Sequence, residues 1–70
     1  HLSLTPIAFI NQKRVQLAQK LLSSSNQSIG VIATKVGIPD QFYFSKLFKH
    51  HTGTTPLAYR KRFSILHHSD

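Results

Sequence analysis

The sequence contains no cysteine, methionine or tryptophan, and its only acidic residues are Asp40 and Asp70. Without cysteine, neither disulfides nor a thiolate zinc centre can compensate for a small core, and an ordinary reducing cytosol suits the composition. With two carboxylates, one of them placed like a helix cap, almost no material remains for general acid or base catalysis. There is no glycine-rich phosphate loop, no paired carboxylates and no nucleophile with its base, so an enzyme is not expected. Apolar runs are only a few residues long, as in Val31-Ile32-Ala33, against the roughly 20 that a membrane span requires. His1-Leu2-Ser3-Leu4 has neither the basic region nor the apolar stretch of a signal peptide, which makes the cytoplasm the expected location.

Histidine is plentiful but not arranged to hold a metal. His50-His51 and His67-His68 are adjacent pairs whose rings diverge on a helix, and no further ligand stands at metal-binding spacing. Neither metal nor cofactor is expected. Ser69 and the tail histidines beside Asp70 have no packed scaffold that would make them a catalytic triad.

What is abundant is positive charge. Nine lysines and arginines against two acids give a formal net charge of +7, a balance that points to a polyanionic partner. Seventy residues allow one domain, burying only about 60% of the surface that the unfolded chain exposes. Helix packing must supply the stability.

Four helical segments are predicted, making the chain all-α. Thr5-Pro6 pairs a good N-cap with a proline suited to the first helical position, and Ile7, Ile10, Leu17, Ala18, Leu21 and Leu22 recur at near-helical spacing. A long amphipathic helix over 6–22 follows, closed by Ser23-Ser24-Ser25-Asn26. Ser28 caps a short helix over 29–36 that ends where Gly37 supplies a left-handed residue. Gly30 weakens this helix by about 1 kcal/mol relative to alanine, and Val31 stands where a capping box would carry glutamate. Pro39 blocks continuation, and Asp40 caps a third helix over 41–52 in which Phe44, Leu47, Phe48 and His51 form a buried stripe. Gly53 ends it. Thr55-Pro56 opens a fourth helix over 56–66, followed by a frayed tail at 67–70.

The segment Thr5-Pro6-Ile7-Ala8-Phe9 returns fifty residues later as Thr55-Pro56-Leu57-Ala58-Tyr59. If the second copy closes a helix-turn-helix, the first reads as the close of an earlier one whose helices precede residue 1. The residues between the copies meet the requirements of that motif in order: Ala33 for close helix approach, Gly37 for the turn, Ile38 to plug the junction, and a two-faced helix over 41–52.

At these residues the sequence resembles the AraC/XylS family of bacterial transcription regulators. The resemblance rests on Ser28-Ile29, Ile32-Ala33, Val36-Gly37-Ile38, Asp40-Gln41, Tyr43-Phe44-Ser45-Lys46-Leu47-Phe48-Lys49, Thr52-Gly53, Thr55-Pro56 and Tyr59-Arg60. Arg14, Ala18, Leu21 and Leu22 match the family's linker helix. The resemblance implies a homeodomain-like helix-turn-helix fold: 1–5 as the end of a truncated first unit, 6–22 as the linker helix and 28–66 as the second unit. It also implies that each unit of the family inserts its second helix into the major groove, and that an effector, if any, binds a domain absent from this chain. Activation through RNA polymerase is common in the family, although nothing in these residues separates activator from repressor. Gly30, Val31, Ile38 and Phe42 depart from the family's usual choices.

Side chains near the start of a recognition helix reach base edges. Gln41 offers the donor and acceptor pair that matches adenine N6 and N7. Phe42 suits a thymine methyl or, alternatively, packs against the preceding helix. Ser45 can bond to base or phosphate, and Lys46 to guanine or the backbone. The resemblance places base contacts at the same four positions. Lys35, Lys49, Arg60, Lys61 and Arg62 are candidate phosphate contacts, while Tyr43 and Tyr59 look like structural fillers between helices. The function expected is sequence-specific binding of double-stranded DNA. Its rival is a basic module that docks on acidic proteins or anionic membrane surfaces.

Overall fold

The computed structural model describes residues 5–65, which form four helices: α1 (Pro6–Ser24), α2 (Ile29–Lys35), α3 (Gln41–Thr52) and α4 (Pro56–Phe63). Each begins with a side-chain oxygen that accepts from one or two of the helix's first, otherwise unpartnered N–H groups. The Thr5, Ser28 and Thr55 hydroxyls accept from the N–H groups of Ala8, Val31 and Ala58, each at 3.1 Å. Asp40 Oδ1 accepts from two, Phe42 at 3.0 Å and Tyr43 at 3.2 Å, and its charge suits the positive end of the helix dipole. Pro6 and Pro56 take the first-turn positions where a missing N–H costs nothing.

The link between α2 and α3 is a Schellman turn. Gly37 adopts φ +88°, its N–H donates to Thr34 O, and the Ile38 N–H reaches back to Ala33 O at 2.8 Å. This places Ile38 beside Ala33 in the core, as the plugging role requires. Gly53 closes α3 at φ +84°, with its N–H on Lys49 O.

Val15, Ala18 and Leu22 of α1 meet Ile32, Ala33, Val36 and Ile38 from the α2 region and Phe44 and Phe48 of α3. Phe48 is central: its ring lies 5.9 Å from Phe44, and Tyr59 of α4 stands edge-on to it at 5.5 Å. The Phe63 ring lies 4.5 Å from that of Tyr59, tilted by 39°. No helix of the described residues is long and apolar enough to cross a membrane.

Several expectations need correction. In α1 the buried stripe is Val15, Ala18 and Leu22, whereas Ile7, Ile10 and Leu17 are exposed. Helical spacing selects a face, but burial needs a neighbour, and the face of α1 that carries Ile7 and Ile10 stays open to solvent. His51 leaves the α3 stripe because it lies one turn beyond Phe48, past the last core residue, and is exposed. Tyr43 is not a filler: it is 51% exposed, whereas Tyr59 does pack against the core. Helix ends shift by one to three residues. Helix α1 runs on to Ser24, where the hydroxyls of Ser23 and Ser24 turn back to Lys20 O. Val36 is a cap rather than the last residue of α2. Helix α4 stops at Phe63, where Ser64 becomes extended and the Ile65 N–H binds Ser23 O. The expected end of α4 at 66 is thus too far, while the tail at 67–70 and residues 1–4 of the 1–5 segment lie outside the described residues.

Two arginines tie these pieces together through backbone carbonyls. Arg14 Nη1 donates to Gly37 O at 3.2 Å, clasping the turn from α1. Arg60 donates from Nε to Leu22 O at 3.2 Å and from Nη2 to Ser25 O at 3.0 Å, so α4 satisfies the C-terminal end of α1. Helix α1 ends without glycine, and these donors serve carbonyls left over by the helix.

Replacing Gly37 by alanine is expected to cost about 1–2 kcal/mol, because the left-handed conformation opposes a Cβ that would also meet Arg14 Cζ at 3.2 Å. Gly53→Ala meets no atom within 4 Å and should cost less in urea unfolding; equal losses would mean that the Arg14 contact contributes nothing. Arg60→Met is expected to lower stability by about 1–2 kcal/mol through its two lost charge-assisted bonds. The exposed Lys61→Met should stay within about 0.5 kcal/mol of the parent in the same measurement.

Candidate nucleic-acid interface

Helix α3 is anchored on one side by Phe44 and Phe48, which are wholly buried, with Leu47 beside them. At 100° per residue, Gln41, Phe42, Ser45, Lys46 and Lys49 share an arc of about 140° on the other side. The structure leaves Gln41, Phe42, Lys46 and Lys49 exposed and Ser45 half-buried. All four residues read as base contacts therefore occupy one solvent-facing surface at the start of α3. Phe42 is 86% exposed, which decides against its packing on the preceding helix.

The placement of that surface has a local cause. The first turn of α3 is held by the double cap from Asp40, and the Schellman turn fixes α3 against α2. Asp40 is the only carboxylate side chain among the described residues, and it accepts from the backbone N–H groups of Phe42 and Tyr43. The positive field around α3 is therefore scarcely offset.

The candidate phosphate contacts divide. Lys49 stands on the α3 surface, Lys35 closes α2, and Lys61 and Arg62 lie exposed in the last turn of α4. Arg62 also sits over the Phe63 ring at 5.6 Å. Arg60 differs: half-buried, it already serves Leu22 O and Ser25 O, so its guanidinium is engaged inside the fold. Arg14, half-buried and bonded to Gly37 O near the surface, has a role that the sequence reading did not foresee. No local signal pointed to it, because its partner lies 23 residues away in the turn before α3.

An open groove of about 720 Å³ runs between α1, the end of α3 and α4. Gln12, Gln16, Gln19, His51, Tyr59 and Arg62 are among its lining residues, and none is a carboxylate. The rings of His50 and His51 stand at 89° to each other, and among the described residues no group of three metal-binding side chains occurs.

Residues 1–62 match the model of a helix-turn-helix domain family. Over 60 residues the chain is 50% identical to the uncharacterized HTH-type transcriptional regulator YisR of Bacillus subtilis (strain 168), covering 86% of this chain and 21% of that protein. It is 45% identical over 58 residues to the bifunctional transcriptional activator/DNA repair enzyme AdaA of the same organism, covering 83% of this chain and 28% of the relative. With the arabinose operon regulatory protein of Escherichia coli (strain K12) it shares 34% identity over 59 residues, 84% of this chain and 20% of the relative. The chain thus spans between 20% and 28% of the length of these relatives. No solved structure gives a significant match. With a capped, glycine-turned α2–α3 pair and a family match over most of its length, this chain belongs to the AraC-type helix-turn-helix family of transcription regulators.

Proposed function

We propose that the chain binds duplex DNA sequence-specifically, with α3 lying in the major groove as the recognition helix. The observation that carries this reading is the gathering of Gln41, Phe42, Ser45 and Lys46 on the exposed face of a helix whose opposite face is locked into the core. Gln41 reads adenine through N6 and N7, Phe42 meets a thymine methyl, Ser45 bonds to a base or phosphate, and Lys46 reaches guanine O6 or N7. Lys35, Lys49, Lys61 and Arg62 supply phosphate contacts, which set position and affinity without reading sequence. Arg60 contributes mainly by holding α4 against α1.

In this reading the module acts without catalysis in the cytoplasm, as the DNA-contacting part of a longer regulator whose effector binds elsewhere. Helix α1 serves as a linker: Ile7, Phe9 and Ile10 in its first turns are exposed, and the Thr5-Pro6 start repeats the Thr55-Pro56 start. A single reading helix gives modest affinity, about 10⁻⁴ to 10⁻⁶ M at physiological salt, and a second unit would raise it through effective concentration.

The test is anisotropy of labelled duplexes at several salt concentrations, together with selection from a random pool, for the parent and a Gln41→Ala, Lys46→Ala variant. The expected log–log slope of affinity against salt is about −3 to −6. The variant should retain residual binding while losing sequence preference. Binding without salt dependence, or identical sequences selected by parent and variant, would remove α3 from the reading role and favour an acidic protein or anionic membrane as partner.

A further inference from the structure

The first turn of α3 comes close to the first turn of α2 at Gly30. A Cβ built on Gly30 would lie 3.0 Å from Gln41 Oε1 and 3.9 Å from its Cδ, closer than ordinary contact for the oxygen. The bare backbone of Gly30 therefore forms a shallow seat on which the Gln41 carboxamide rests, oxygen inward. Every other helix residue type would fill that seat with at least a methyl group. Glycine is a poor choice for the first turn of a seven-residue helix, since alanine would favour the helix. The atom it accommodates is the far end of a flexible side chain, so a Cβ here would push the Gln41 carboxamide outward by a few tenths of an ångström and weaken its hold on the seat without distorting the fold.

The seat bears on reading. Bidentate recognition of adenine needs both the carboxamide oxygen, to accept from N6, and its nitrogen, to donate to N7. With the oxygen against Gly30, only half of that pair faces outward, so the side chain must leave the seat before it reads. We infer that Gly30 is a positioning residue for specificity: by holding Gln41 in a resting conformation, it lowers the fraction of the protein ready to read adenine. Apparent affinity for the preferred site falls by that fraction, so filling the seat should raise it. This inference rests on Gln41 being a base reader.

Four proteins test it: the parent, Gly30→Ala, Gln41→Ala and the double variant, each taken through selection from a random pool and titration against the selected duplex and its single-base-pair variants. Gly30→Ala is expected to bind the preferred duplex roughly two- to fivefold more tightly, as follows if the seat holds Gln41 for half to four-fifths of the time. The gain should be confined to the base pair whose preference Gln41→Ala abolishes, and it should vanish in the double variant. Thermal unfolding of Gly30→Ala should occur no lower than in the parent, and a helix-stabilising effect alone would change binding to all duplexes alike. If Gln41→Ala leaves the selected sequences unchanged, the base-reading role of Gln41 fails and the inference falls with it. If Gln41→Ala alters selection while Gly30→Ala leaves that base pair unchanged, weakens its preference, or acts equally without Gln41, the positioning role of Gly30 alone is overturned.

Discussion

The guanidinium of Arg60 on the carbonyls of Leu22 and Ser25 joins the last helix to the end of the first, and much of the arrangement depends on such bonds. A small domain commonly steadies its surface with ion pairs, but this one has a single carboxylate among its described residues. Its internal electrostatic partners are instead backbone carbonyls, which carry partial charge and add no net negative charge to the surface. Arg14 on Gly37 O follows the same logic from the other side of the core. The fold thereby gains cross-links while its net charge stays strongly positive, the condition under which a polyanion is attracted from a distance.

Around those clasps the core is small and built mainly at one level. Helix α1 contributes only its second half, through Val15, Ala18 and Leu22, and lies against all three other helices. Helix α2 is too short to persist alone. It depends on its Ser28 cap, its Schellman end and the burial of Ile32 and Ala33. In return it fixes the pitch of α3, so the exposed face of that helix is aimed by packing on its hidden face rather than by contacts of its own.

How much of this was legible in the sequence depended on distance along the chain. Thr5, Ser28, Asp40 and Thr55 act on N–H groups two or three residues away, and Gly37 and Gly53 are needed for their own dihedral angles, so all six roles could be read locally. The surface gathered at the start of α3 was legible for the same reason, because helical spacing alone groups Gln41, Phe42, Ser45 and Lys46. Burial was less so. Ile7, Ile10, His51 and Tyr43 have plausible spacing for a core, yet whether another helix lies over them is set by tertiary geometry that no local pattern encodes. Arg60 shows the same limit for polar groups: its partners lie 38 and 35 residues away, and nothing adjacent to it distinguishes an inward arginine from the outward Lys61 and Arg62.

Phe42 holds a large aromatic ring in water at the point where charge is otherwise concentrated. Covering such a ring releases hydration water and contributes about 1.5–3 kcal/mol when burial is complete. It also lowers the heat capacity of the complex. Unlike the ionic attraction, that contribution is not screened by added salt, and kosmotropic salts strengthen it. Any partner that settles on α3 therefore meets two forces with opposite responses to the solvent. As ionic strength rises, charge holds it less firmly, and the fit around one ring decides a growing share of what remains bound.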